Sequence, residues 1–304
     1  MMNRTLTGFL LIAFLAVPAS AQVATLTRDQ LLKFTSNYKG ERFPDGRPKV
    51  ADKLLNKMDG LSAEEVWAVL PGEGYNNQYE GNFQILHPEK KLIGRAVTVQ
   101  FMPARPDMKG PNDEDAKAKG VINPGNQRVL DMLQDGDVLV ADLFGKIEGG
   151  TLVGDNLAIY IYALTHKGLV VDGAIRDLEG IFPIPMGAYY RGVHPTPISK
   201  DIMITGINVP IRIGNATVLP GDVVFGDREG IYFVPPHLVG KVLNKADELH
   251  IHDEWTREKF TKETGKYKSS EIYSTPRDPK LQAEYKEYLK RKLDELHAKE
   301  GIIQ

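Results

Sequence analysis

Between Gly154 and Glu179 the chain reads GDNLAIYIYALTHKGLVVDGAIRDLE, and this stretch constrains the fold more than any other. Asp155 is placed to act as an N-cap, its carboxylate accepting free N–H groups of a first helical turn. Leu157, Tyr160, Ile161 and Leu164 then recur at i, i+3, i+4 and i+7, the apolar face of a helix. Gly168 suits the C′ position that ends it. Leu169-Val170-Val171 is a continuous apolar run, as in a strand buried on both faces. Asp172-Gly173 reads as a turn, which leaves Arg176 and Asp177 in a loop just beyond. A helix followed by a returning strand folds the chain back once. The twenty residues between Asp155 and Arg176 therefore let the acid and the Arg-Asp pair meet at one point. In layered α/β structures, loops at the carboxyl ends of strands hold ligands. An arginine beside two carboxylates suits an anionic substrate and a divalent metal.

Each of these residues also has an ordinary structural reading. Asp155 taken alone is as well explained by helix capping as by chemistry. Arg176 and Asp177 taken alone make a surface ion pair, which contributes little stability. The combination of cap, spacing, buried strand and glycine-bearing loop favours a site.

The flanking sequence supplies the rest of an α/β layer structure. Ser62 and Glu65 stand at capping-box spacing at the start of LSAEEVWAVL. Residues 72–90 are polar and read as a solvated loop. Leu92 to Pro103 reads as a strand, Asp107 to Gly120 as an exposed charged segment, and Gln127 to Leu133 as a short helix. Val138 to Ala141 is a strand running into Asp142 and a glycine-containing loop. From Ile202 to Phe233, short apolar runs alternate with turns at Gly206, Gly214-Asn215 and Pro220-Gly221-Asp222, a β layer. Gly226 to Gly230 reads as a further hairpin turn. Beyond Pro235 the chain reads as helical and becomes strongly charged, and Leu281 to Leu296 carries an amphipathic pattern.

Composition narrows the function. Hydrophobic residues make up 42% of the 304, enough for a sizeable core. A net charge of −2 gives no general attraction to nucleic acid or anionic membranes. With no cysteine, thiol chemistry and cysteine-bound metals are excluded. No Gly-rich nucleotide fingerprint, Walker motif, nucleophile elbow or HExxH motif is present. The N-terminus reads as an export signal: Arg4, an apolar run from Gly8 to Val17, and Ala19-Ser20-Ala21 before a mature start at Gln22. The expected organisation is a signal peptide at 1–21, a lead-in at 22–60, an α/β domain at 61–245 and a charged helical extension at 246–304.

The Asp-x20-Arg-Asp element lies between GDVLVADLFGKIEGGTLVGDNLA and PGDVVFGDREGIYFVP. In that order these blocks resemble the RraA-like family over roughly Leu61 to Lys245. The family includes regulators of ribonuclease activity and metal-dependent 4-hydroxy-4-methyl-2-oxoglutarate / 4-carboxy-4-hydroxy-2-oxoadipate aldolases. Both Asp155 and Asp177 are present, which brings the chain nearer the aldolase branch.

The resemblance implies a layered α/β sandwich of the swivelling β/β/α type, assembled as a homotrimer or a pair of trimers with sites between subunits. It implies a lyase that releases pyruvate from a 4-hydroxy-2-oxo acid, with oxaloacetate decarboxylation as a related activity. In that reading Asp155 and Arg176 are catalytic, Asp177 holds Mg2+ or Mn2+, and Gly154, Asn156, Leu157 and Arg176 bind substrate. A neighbouring subunit would add an acid, with Glu248, Asp253 and Glu254 as candidates. His250 and His252 beside those acids read as a solvated helix surface rather than ligands, because i and i+2 side chains point apart. His166 reads as a partner for the helix C-terminus. The alternative is a non-catalytic regulatory or binding protein, and an export signal separates the chain from any cytoplasmic ribonuclease.

Overall fold

A computed structural model describes residues 23–122, 125–198 and 201–300; the export signal read at 1–21 lies outside them. The strands are β1 (Tyr79–Glu80), β2 (Gln84–Ile85), β3 (Leu92–Pro103), β4 (Asp137–Lys146), β5 (Gly168–Ile175) and β6 (Gly187–Val193). They continue with β7 (Ile202–Ile207), β8 (Ile211–Ile213), β9 (Ala216–Val218), β10 (Val223–Gly226) and β11 (Ile231–Val234). One mixed sheet runs β1-β11-β10-β3-β4-β5-β6-β2, with β7 also paired to β3. Strands β3 to β6 are parallel, with Thr98 opposite Val140 and Val140 opposite Val170. The others pair antiparallel, and β8 with β9 forms a separate hairpin.

The central strands are buried on both faces, which is why they read as unbroken apolar runs. One face sets Val97, Leu139, Leu169 and Val171 beneath Ala158 and Ile161 of the Asp155–Thr165 helix. The other sets Ala96, Val138, Val140 and Val170 against Ile211, Ile213 and Val218 of the small hairpin. Helix, large sheet and small sheet make the expected β/β/α sandwich. The capping box at Ser62 and Glu65 is formed, with the Ser62 amide donating to Glu65 Oε2 at 2.7 Å.

Four local expectations need correction. Asp172-Gly173 is no turn: both residues lie within β5, at an irregularity of its register with β4. Glycine is needed there because a Cβ at 173 would come within 2.7 Å of Leu143. The helix ends on His166, in the left-handed conformation (φ 53°), and Gly168 already opens β5. At 168 the requirement is space, since a Cβ there would meet the Gly187 backbone of the neighbouring strand. Tyr160 leaves the helix's core face, is exposed, and donates its hydroxyl to Asp131 Oδ1 at 3.1 Å. Gly206 lies inside β7, and the chain turns after it at Asn208 (φ 51°).

The two extensions pack on the domain. In the lead-in, Arg47 makes a two-pronged ion pair with Asp137 at the start of β4. At the other end, the Pro279–Glu300 helix lies on the Val239–Lys262 helix. Trp255, Ile272 and Tyr285 form a small separate core there, edged by Lys292–Glu254 and Lys259–Glu284 pairs.

Candidate functional site

The N-cap of the site helix is Gly154, and Asp155 is the first residue inside it. This corrects the expected cap. The Asp155 carboxylate still serves the helix start, because Oδ1 accepts from the Asn156 amide at 2.7 Å. Gly154 is fixed by its surroundings. A Cβ at that position would fall on Asp177 Oδ2 and within 2.9 Å of Arg176 Cζ. Glycine thus lets the Arg-Asp pair lie against the positive end of the helix.

Backbone pairing holds the two segments together. The Leu152 amide donates to the Ala174 carbonyl at 2.9 Å, and the Arg176 amide donates to the Val153 carbonyl at 3.0 Å. The approach to the helix is therefore zipped to the end of β5. Asp177 then adopts the left-handed conformation, φ 60° and ψ 44°, which Asp tolerates better than most residues. Its carbonyl accepts from the Gly180 and Ile181 amides, starting the short Leu178–Ile181 helix. Gly180 closes the arrangement: a Cβ there would lie 2.6 Å from Asp155 Oδ2. The Asp-x20-Arg-Asp spacing does not single out Gly180. Its signal was a glycine three residues after Asp177, where the chain must pass close to the first acid.

Gly154, Asp155, Arg176 and Asp177 are thus brought together as the spacing predicts. Arg176 Nη1 and Asp177 Oδ2 lie 2.7 Å apart, and the two side chains are 32% and 34% exposed, so solvent and a ligand can reach both. Asn156 points its side chain outward, and its amide is taken by Asp155. Leu157 packs its side chain on the main core, which leaves only its backbone facing the helix start.

The donors offered here are carboxylate oxygens. That set suits a hard cation such as Mg2+, which keeps several waters and takes one or two protein carboxylates. Among the described residues no group of three or more His, Asp or Glu side chains forms a closed metal cage. The other candidate groups lie elsewhere. His250 pairs with Glu65, Glu248 with Lys245, Glu254 with Lys292, and Asp253 Oδ1 lies 3.8 Å from His252 Nδ1. All are on the Val239–Lys262 helix. His166 Nδ1 is 2.9 Å from Asp135 Oδ1, and that hydrogen bond lowers the Asp135 carboxyl below its ordinary range.

On the opposite face of the sheet, Asp172 Oδ1 binds Arg191 Nε at 2.7 Å, and Arg191 Nη2 reaches Glu80 Oε1 at 2.9 Å over the Phe83 ring. The Gly214 amide donates to the other oxygen of Asp172. This partly buried network is internally paired and braces the small hairpin. Asp142, opposite Asp172 in register, is raised above the usual carboxylate range, first by burial and also by Asp172.

Comparison with known proteins identifies the family and the fold. The RraA-like (Aldolase/RraA) family model matches residues 50–233, more than half of the chain. A candidate 4-hydroxy-4-methyl-2-oxoglutarate aldolase from Halalkalibacterium halodurans is 33% identical over 142 residues, 46% of this chain and 67% of that protein. Protein DlpA of Legionella pneumophila is 27% identical over 204 residues, 66% of this chain but only 30% of its own length. Among solved structures, Streptomyces coelicolor RraAS2, described as an unusual member of the RNase ES inhibitor RraA family, superposes with a TM-score of 0.61 at 26% identity. That match covers 69% of this chain and all of RraAS2.

Proposed function

The chain belongs to the RraA-like family, and from that premise we propose that it is a divalent-metal-dependent lyase cleaving a 4-hydroxy-2-oxo acid to pyruvate and a second carbonyl compound. One observation carries the reading: Arg176, Asp177 and Asp155 are gathered at a glycine-lined helix start, partly open to solvent. The aldolase names of the relatives matched here support the reaction class.

Arg176 binds the substrate's 1-carboxylate. Asp177 occupies Nη1, and the rest of the planar fork is free to hold an anion in a two-pronged grip. The Leu157 amide at the helix start adds a donor, while the Asn156 amide stays with Asp155. Asp177 would hold Mg2+ or Mn2+ largely through water, and that ion when bound supplies a Lewis acid for the 2-oxo group. Asp155 accepts the proton of the 4-hydroxyl, directly or through one water. The C3–C4 bond then breaks, its electron pair passes into the C2–C3 enolate, and the second carbonyl compound leaves. Protonation at C3, by the proton Asp155 collected or by water, yields pyruvate. Oxaloacetate would lose CO2 across the same bond to give the same enolate.

The site is exposed at its rim, as is Phe182 beside it at 61%. Assembly as a homotrimer, with an acid of the neighbouring subunit near Arg176, would cover both. Export through the leader at 1–21 would place the reaction outside the cytoplasm. The RraAS2 likeness favours one other reading, a binding protein with the same fold and no turnover. Pyruvate release over a panel of 4-hydroxy-2-oxo acids and oxaloacetate, with Mg2+ or Mn2+ and with EDTA, separates them. Release from at least one substrate that stops in EDTA is expected. No release from any substrate with either metal would overturn the lyase reading.

A further inference from the structure

A cavity of about 300 Å3 lies at the end of the sheet away from Arg176, where the lead-in closes over the chain leading into β10. That is within the range of small-molecule sites. Phe34 and Tyr38 come from the lead-in, Tyr75 and Gln78 from the segment before β3, and Asp222 and His237 from either side of the β10–β11 hairpin. None of these residues belongs to the Arg176 site. Phe34 and Tyr38 precede residue 50, where the family match begins, so this cavity's outer wall is not part of the matched block.

The walls are aromatic. Tyr75 and His237 stand 6.0 Å apart, centroid to centroid, at 60°. Tyr38 spends its hydroxyl on the Lys49 carbonyl at 2.8 Å, so it offers the cavity a ring. The polar groups at the floor are acceptors. Gln78 is 8% exposed and gives its amide N–H groups to the Thr217 and Phe233 carbonyls, an arrangement that leaves Oε1 as an acceptor. Asp222 is 3% exposed, and its Oδ2 accepts from the Leu219 amide at 2.8 Å. No lysine or arginine is among the described lining residues. Arg42 already lies over the Tyr38 ring, 5.4 Å from its centroid, and is tied to Thr35, Tyr38 and Gly46 through their oxygens, so a ligand cation has only the part of that ring Arg42 does not cover. Burial lowers His237, which keeps it from supplying a competing positive charge near neutrality.

A carboxyl buried with one backbone partner and no cation destabilises a fold unless something offsets it. Rings around a carboxylate are the arrangement that recognises ammonium groups, through attraction of the cation to the ring faces. We propose that this cavity binds a small organic cation, an amine or methylated ammonium, held between the rings of Tyr38, Tyr75 and His237 with Asp222 and Gln78 as its acceptors. Burial pushes Asp222 up to about 7, and a cation seated beside it would draw the carboxyl back toward its charged form.

Isothermal titration of the full chain with phenethylamine and tetramethylammonium, against 2-phenylethanol and phenylacetate, tests this. The two cations should bind with Kd values of about 1 mM or tighter, and phenethylamine at least about tenfold better than the alcohol of the same shape. Asp222→Asn preserves shape and removes the charge, and should weaken phenethylamine about tenfold or more. Tyr75→Leu should weaken both cations with the unfolding midpoint retained, and decides the matter if the Asp222 variant does not fold. Equal binding of amine and alcohol, no binding of either cation at ~10 mM, or undiminished affinity in both variants would overturn the proposal.

Discussion

Two Arg–Asp pairs stand at opposite ends of the same parallel strands, and they differ in almost everything but chemistry. At the start of β4, Arg47 and Asp137 are 2% and 0% exposed, joined at 2.6 and 3.2 Å across ninety positions of sequence. Phe43 lies 4.2 Å from the Arg47 guanidinium, and Asp137 also accepts from the Gln134 amide. Past the end of β5, Arg176 and Asp177 are sequence neighbours, one third exposed, in a left-handed turn. The first pair is fully enclosed, so no ligand reaches it even though Arg47 Nε has no hydrogen-bond partner. The second keeps part of a guanidinium fork and carboxylate oxygens open. Exposure, rather than residue type, separates a structural ion pair from a site.

The comparison can be broken from either side. Asp137→Ala strands a buried guanidinium and should destabilise the fold by about 3–5 kcal/mol, read from the denaturant midpoint, while molecules that stay folded keep their turnover. Asp177→Asn, which tolerates the left-handed turn as Asp does, should do the reverse, lowering pyruvate release at least about a hundredfold, or ~2.7 kcal/mol, with stability within ~0.5 kcal/mol of the parent. A large stability loss there would make Asp177 a structural residue. Arg176→Lys keeps the charge without the fork, so KM should rise about tenfold, or ~1.4 kcal/mol, with a smaller change in kcat.

Asp155→Asn sharpens the contrast further. Asparagine retains an oxygen for the Asn156 amide, so stability should change by only a few tenths of a kcal/mol, yet turnover should fall. A normal rate would reduce Asp155 to a helix-start residue. A further effect concerns pH. Asp222 has a folded value near 7, above its unfolded value, so the folded chain binds the extra proton. Its contribution to stability is full at low pH and is lost as pH rises through about 4 to 7. Asp222→Asn should flatten that part of the stability profile, which thermal unfolding between those limits would detect.

Short-range features were legible in the sequence because local rules decide them. The capping box at Ser62, the central strands and the convergence of Gly154, Asp155, Arg176 and Asp177 all follow from period, spacing and one reversal of the chain. The misreadings share a cause. In sequence, Gly168 reads as a helix C′ residue and Gly173 as a turn residue because glycine permits unusual backbone angles, whereas in the fold they permit close approach to Gly187 and Leu143. That demand comes from a neighbouring strand and leaves no local trace. Tyr160 fits the helical period, but the core is centred on Ala158 and Ile161, so it falls outside the covered arc. The Arg47–Asp137 pair and the Asp222 cavity unite segments distant in sequence, and no spacing rule could have joined them.

The Arg47–Asp137 pair also bears on where the folding unit ends. The block shared with relatives opens at residue 50, after Arg47. A fragment cut at that boundary would keep Gly154, Asp155, Arg176 and Asp177 yet lose the counterion of Asp137, whose side chain has no exposure to water. Its charge would have to be neutralised by protonation, or β4 would fray from its first residue. The lead-in thus behaves as a latch that cannot close until Asp137 has been synthesised, and a boundary drawn by similarity would cut through it.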